Sequence, residues 1–292
     1  MSVGVVVINH NVGPALVDCL RSVVGQAGDL VLIDNASVDG STDAAAAAFP
    51  AIRVIRNERN TGFSAAANQG VRTVEGDPVV LLNPDATAAP GSVAALAAAL
   101  AANPRAAVVG GLVRNPDGTV QPTKRAFPSL WHATLHGLVG VVWPNNPGTR
   151  AYTLADAAFD APRRVDWVAM TAVAIRREAF DDIGGFDERF FFFVEDVDLC
   201  RRLADAGWEV WFEPRAEFVH IWGGSWTQRP LRFLALHQLN LYRYFRKHRR
   251  GAWVLAAPFV ATGLALRFGL LAMRWLITRR SVPKHRSGVA SG

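Results

Sequence analysis

Cysteine is nearly absent from this 292-residue chain: only Cys19 and Cys200 occur, far apart and each within a helix-like segment. A structural disulfide is not expected, and a reducing compartment is the simpler setting. Glycine-rich phosphate fingerprints are missing as well. The first strand runs into Asn9-His10-Asn11-Val12-Gly13 where a dinucleotide fold would carry G-x-G-x-x-G, and no G-x-x-x-x-G-K-[ST] occurs. A nicotinamide-dependent oxidoreductase and a P-loop ATPase are thereby disfavoured. The opening stretch Met1–Asn9 has no basic run and no small-residue cleavage site, so it predicts a strand and no signal peptide. Acidic residues are absent beyond Glu217.

That last absence makes the charge lopsided. From Phe218 to Gly292 there are thirteen Lys and Arg and no Asp or Glu, so against a total of +6 the first 217 residues carry −7. An acidic body with a basic, apolar tail suits an anionic membrane surface better than nucleic acid, for which no motif is present. The length accommodates one large α/β domain or two small ones with a full core.

What is there reads as alternating strands and helices. Val3–Asn9 and Leu30–Ile33 are continuous β-branched and aliphatic runs, the pattern of strands buried on both faces of a parallel sheet. Pro14 opens a helix that closes near Gly25. The turn Ser37–Ser41 leads into an Ala-rich helix to Phe49, and Ile52–Ile55 predicts a third strand. A helix over Gly62–Val74, a strand over Val79–Leu82 and a helix over Pro90–Ala102 continue the alternation. The spacing predicts a doubly wound, mostly parallel sheet. Such sheets bind ligands beyond the carboxyl ends of their strands, where His10, Asp34–Asn35 and Asn83–Asp85 fall. Arg125–Arg150 has no clear period and reads as loops and short helices. Within it His132 and His136 are four apart, but lack a nearby carboxylate or cysteine, so a structural role is expected. Val165–Ile175 reads as one strand, Arg177–Ile183 as a short helix, Trp208–Phe212 as a strand and Phe218–Ser225 as a loop around His220.

The densest chemistry lies in Phe190–Leu203, FFFFVEDVDLCRRL. Four aromatic rings run into Glu195, Asp196 and then Asp198, and Leu199 and Leu203 mark one face of a helix. Acids in a first helical turn complement the macrodipole whatever else they do. Set against an aromatic wall they are also desolvated, so at least one should hold its proton to a raised pH, which suits a general base.

With these pieces assembled, the chain resembles the family-2 inverting glycosyltransferases of the GT-A fold, in particular their bacterial rhamnosyltransferase branch. The matching segments are VVVINHN, LVLIDNASVDGS, NERNTGFSAAANQG, VVLLNPDA, GGFDERFFFFVEDVDLCRRL and VHIWGGS, in that order over roughly residues 1–226. The resemblance implies a nucleotide-sugar donor, dTDP-rhamnose first and a UDP- or GDP-sugar second, and a lipid-linked polyprenyl-diphosphate GlcNAc or polysaccharide acceptor. It implies Asp196 as the base, with Glu195 positioning it or the acceptor and Asp198 as the fallback. It places Asn9, Asp34, Asn60, Gly62, Asn68, Asn83 and Asp85 around the nucleotide sugar, Asp34 accepting the ring N–H of a pyrimidine. As a strand-end residue Asp34 equally suits capping the SVDGS turn, and N-x-G is also a plain turn signal. The resemblance further implies that Asp85 and His220 hold Mg2+ or Mn2+ at the diphosphate. Asn83 departs from the metal-binding D-x-D pattern, removing one carboxylate and predicting a weakly held ion. His220 beside Trp222 is also compatible with a structural histidine. A catalytically silent sugar-nucleotide-binding subunit is the reading of another class, and the joint presence of Asp85, Asp196 and His220 argues against it.

Beyond these motifs the chain changes character. Residues 1–226 are expected to form the transferase domain, 227–280 a helical membrane-associating tail, and 281–292 a disordered end. Leu231–Arg250 reads as a basic amphipathic helix. Ala252–Leu266 is uncharged but shorter than the roughly 20 apolar residues a span needs. An interfacial or re-entrant anchor at the cytoplasmic face of the plasma membrane, with Trp253 and Trp275 at headgroup depth, is therefore expected. A helical hairpin packed on the protein itself is the alternative.

Overall fold

A computed structural model of the chain describes residues 2–128, 139–141, 143–155, 159–221, 230–249 and 251–280. The chain divides into two compact units, Met1–Arg229 and Pro230–Gly292. The first contains β1 (Gly4–Asn9), α1 (Ala15–Val23), β2 (Asp29–Asp34), α2 (Ser41–Ala48), β3 (Arg53–Arg56), α3 (Phe63–Thr73) and β4 (Val79–Leu82). It continues with β5 (Ala86–Ala88), α4 (Ser92–Ala102), β6 (Ala106–Arg114), β7 (Lys124–Arg125) and α5 (Pro147–Thr153). It ends with β8 (Arg163–Val165), β9 (Trp167–Val168), β10 (Ala172–Ile175), α6 (Arg177–Asp182), α7 (Glu195–Asp205) and β11 (Glu209–His220).

The main sheet has the order β3-β2-β1-β4-β10-β6-β11-β5, with β8 added on β11. Strands β1 to β4 are parallel; β1, β2 and β4 are buried on both faces, as their continuous apolar runs predict, while β3 is the partly exposed edge strand. Strand β10 enters antiparallel between β4 and β6, so the sheet is mixed. Helix α3 lies close on β1 because residue 70 is glycine; a Cβ there would run into Val6. The largest departure from the sequence reading is Val165–Ile175, which forms three strands. Arg163–Val165 pairs with β11, Trp167–Val168 pairs with β7 in a separate ribbon, and only Ala172–Ile175 enters the main sheet. Asp166 sits at the first break, its carboxylate accepting the Phe127 N–H at 2.6 Å. Apolar content alone does not report such partner switches.

The second unit holds α8 (Pro230–His248) and α9 (Ala257–Arg280). The two helices pack together, and Arg267 of α9 donates to the Gln238 side chain of α8 at 2.9 Å. By length and composition Trp253–Ile277 is long and apolar enough to cross a membrane, with Phe259, Leu266 and Ile277 all exposed. Arg267 and Arg274, which bound the uncharged run in the sequence, lie inside this helix. The expected disordered end, 281–292, and the His132/His136 pair lie outside the described residues.

Candidate active site

Register puts the strand-end residues on one edge. Asn9 is paired with Asp34 and Val7 with Leu82, so Asn9, Asp34 and Asn83 end three adjacent parallel strands. Asn9, however, is completely buried, and its amide nitrogen lies 3.1, 2.8 and 2.9 Å from the hydroxyls of Ser37, Ser41 and Thr42. It anchors the 37–42 turn and has no surface with which to touch a nucleotide, a correction to the expected binding role. Asp34 performs the turn-capping that its strand-end position foresaw: Oδ1 accepts the Ser37 N–H at 3.0 Å. Its Oδ2 faces Arg56 at 3.5 Å.

From this edge a hydrogen-bonded bridge leads to the acidic helix. Asn35 donates to Asn60 Oδ1 at 3.0 Å and to the Gly62 carbonyl at 3.2 Å, while Asn60 Oδ1 also accepts the Gly62 N–H. Gly62 has φ +86°, and a Cβ there would lie 2.6 Å from the ring and carbonyl of Phe191. Only glycine lets the aromatic segment come this close. Phe63 N–H and Ser64 Oγ then donate to the carbonyls of Phe191 and Phe190 at 2.7 and 2.5 Å. Asn68 is buried and its amide is spent on Phe186 and Glu188. Asn68 therefore holds the 186–188 loop and does not contact a nucleotide, the second correction. Asn60 and Gly62 reach the site by docking the aromatic run. That run ends in strain: Phe193 and Val194 have φ +68° and +71° immediately before α7.

The three acids of α7 have separate fates. Asp198 is fully buried and bonded to Arg202 at 2.9 Å, which commits its carboxylate to a structural ion pair. Glu195 is buried with Oε2 lacking a hydrogen-bond partner among the described residues. Burial first, and then the neighbouring Asp196 charge, push its carboxyl well above the usual range, so it keeps its proton. Asp196 is partly exposed, and one oxygen accepts the Val197 N–H at 2.8 Å. Desolvation raises it to about 6, while that N–H and the Arg125 charge act in the opposite direction. A carboxylate that ionises near 6 and is not locked in an ion pair is competent to take a proton near neutral pH.

Asp85 and His220 are brought together by strand pairing. His220 is the last residue of β11, paired with Ala86 of β5; the expected loop at 218–220 is strand instead. The pairing leaves His220 Nε2 3.0 Å from Asp85 Oδ1 and 3.4 Å from Asn83 Nδ2. Gln121, missed in the sequence, fixes the imidazole. Its amide donates to Asn115 and to the His220 carbonyl, so its oxygen must accept, and the network assigns the proton to His220 Nδ1, 3.0 Å away. Nε2 then faces the carboxylate across a gap that needs positive charge, either a proton or a metal ion. A carboxylate and an imidazole set this far apart suit a divalent cation of the Mn2+ type. No cluster of three or more His, Cys, Asp or Glu occurs among the described residues.

Comparison with known proteins follows the same lines. Residues 4–160 match the model of the family described as glycosyl transferase family 2. The N-acetylglucosaminyl-diphospho-decaprenol L-rhamnosyltransferase of Mycobacterium tuberculosis is 35% identical over 282 residues, covering 91% of this chain and 92% of that protein. Rhamnosyltransferase WbbL of Escherichia coli is 31% identical over 88 residues, covering 29% of this chain and 32% of that one. Among solved structures, mannosyltransferase PcManGT from Pyrobaculum calidifontis, in complex with GDP-Man and Mn2+, has a TM-score of 0.59 at 18% identity, covering 96% of this chain and 79% of its own.

Proposed function

Because this chain belongs to glycosyl transferase family 2 and is a glycosyltransferase, we propose that it moves L-rhamnose from dTDP-rhamnose onto a GlcNAc-diphosphate carried by a polyprenyl lipid. The observation that most supports this reading is the end-to-end alignment with the mycobacterial rhamnosyltransferase, which spans more than nine-tenths of both chains. The residues arranged at the site fit a single inverting displacement. Asp196, ionised above about 6, takes the proton of the acceptor hydroxyl, and the sugar passes from the diphosphate in the same step. The protonated Glu195 beside it can donate a hydrogen bond to the acceptor or to Asp196 and adds no second negative charge. Asp34 would meet the ring N–H of the base with the carboxylate that already caps the 37–42 turn. Asp85 and His220 would hold a divalent cation, whose charge offsets that of the leaving diphosphate.

Residues 1–226 form the catalytic part in this reading, and 227–280 attach it peripherally to the cytoplasmic face of the membrane that carries the lipid. The exposed apolar side chains of α9 and the basic last turn of α8 (Arg246, Lys247, His248) support that attachment.

The test is nucleotide release from purified protein offered dTDP-rhamnose, UDP-sugars and GDP-sugars with a short-chain polyprenyl-diphosphate GlcNAc. Turnover restricted to dTDP-rhamnose with product on the lipid is expected. Strong turnover of a UDP-sugar and none of dTDP-rhamnose would end the rhamnose assignment.

A further inference from the structure

Among the described residues, no hydrogen-bond acceptor meets the guanidinium of Arg125. It lies on β7, which pairs with β9 in the register Lys124↔Val168 and Arg125↔Trp167. The neighbouring Lys124 turns inward: it is fully buried, with Nζ 3.9 Å from the Phe159 ring centroid and 3.3 Å from the Leu154 carbonyl. Successive strand residues face opposite ways, so Arg125 leaves the ribbon on the other side. There the rings of Tyr152 and Trp167, 6.3 Å apart and tilted by 48°, lie side by side against its guanidinium at 5.4 and 5.5 Å. Trp167 is itself pinned by its indole N–H to the Ala126 carbonyl at 2.9 Å. The guanidinium is thus half-buried against a pair of aromatic rings, yet among the described residues it makes no hydrogen bond or ion pair. Ring contacts use none of its N–H groups, so the planar fork keeps its edge for a ligand, the geometry in which arginine grips a phosphate through two parallel N–H bonds.

Its position ties it to the acceptor side of the site. Strand β9 packs on α7, whose first turn carries Asp196. Arg125 is near enough for its charge to favour the ionised form of Asp196, but the two do not pair. We infer that Arg125, seated against Tyr152 and Trp167, is the subsite for a phosphoryl group of the acceptor. The hydroxyl that Asp196 deprotonates and the phosphate on the anomeric carbon of the same sugar lie across one pyranose ring. A base and an anion-binding group that are neighbours without touching match that spacing. The donor diphosphate is already provided for at Asp85 and His220, on the β5–β11 edge.

This subsite rests on the lipid-diphosphate acceptor proposed above, and one experiment separates the two. Steady-state kinetics with dTDP-rhamnose would compare farnesyl-diphosphate-GlcNAc with the uncharged octyl β-GlcNAc, for the unmodified protein, Arg125→Ala, Arg125→Gln and Arg125→Lys. Circular dichroism melts verify folding, and the glutamine variant retains most of the stacking surface if alanine does not fold. The neutral variants are expected to raise KM for the diphosphate acceptor roughly 10- to 100-fold more than for the neutral one, with KM for dTDP-rhamnose little changed. Lysine should recover part of the difference. Equal losses on both acceptors, or a rise in donor KM instead, would overturn the subsite while leaving the function intact. Unmodified protein that uses octyl β-GlcNAc but not the diphosphate lipid would overturn both.

Discussion

At the scale of single residues, the site works by keeping one carboxylate available and committing the others. Asp196 ionises at about 6 in the fold against an ordinary 3.8, chiefly through burial. The groups around it are the protonated Glu195, Asp198 already paired with Arg202, the buried Cys200 thiol and the Arg125 cation. A base must be ionised, so kcat/KM should climb with pH through about 6. Stability should move the other way: the native state holds a proton the unfolded chain has released, so this group's contribution declines as pH rises from about 4 to 6. Asp196→Asn should lower kcat roughly 100- to 10,000-fold with donor affinity retained, measured by turnover and by dTDP-rhamnose titration calorimetry. Gln121 acts one step further out. Replacing it with leucine removes the acceptor that holds the His220 proton on Nδ1, and Mn2+ affinity in the presence of dTDP should drop roughly 10- to 100-fold by calorimetry.

At the scale of elements, the first turn of α7 owes its place to its docking on α3. Gly62→Ala adds a Cβ into Phe191 at a backbone angle that disfavours side chains, so it should cost about 1–3 kcal/mol in a denaturant melt. It should also lower kcat, because the aromatic run that carries Glu195 and Asp196 is displaced. The Asp198–Arg202 pair stitches the same helix, and Arg202 also donates to the Ile183 carbonyl at 2.9 Å. Asp198→Ala leaves a largely buried guanidinium uncompensated and should cost about 3–5 kcal/mol, read in the same melt. If that variant kept full stability, Asp198 would regain its candidacy as a base.

At the scale of the whole molecule, charge and apolar surface are segregated. The acidic catalytic part contrasts with a tail carrying all thirteen positive charges after Glu217. Full-length protein should float with vesicles containing phosphatidylglycerol and much less with phosphatidylcholine alone. Neutralising Arg246, Lys247 and Arg249 to glutamine should weaken binding by about 1 kcal/mol per charge at low salt, and less as salt rises. Equal binding to both vesicle types would assign the attachment to α9's apolar surface alone.

The sequence by itself determined the alternation of strands and helices, the place of polar residues at the strand ends and the desolvated acids at the start of α7. These follow from local periodicity and from acids lying next to aromatic rings, and both are written along the chain. It also carried the ordered motifs by which the family could be recognised. Only the tertiary structure decided which polar residues are spent on scaffolding. Asn9 and Asn68 look like binding residues until their amides are found bonded to the 37–42 turn and the 186–188 loop. Likewise, Val165–Ile175 splits because different partner strands claim its parts, and Arg125 matters because α5 and β9 bring Tyr152 and Trp167 together against it. Partners far apart in sequence set those outcomes, and no local pattern encodes them.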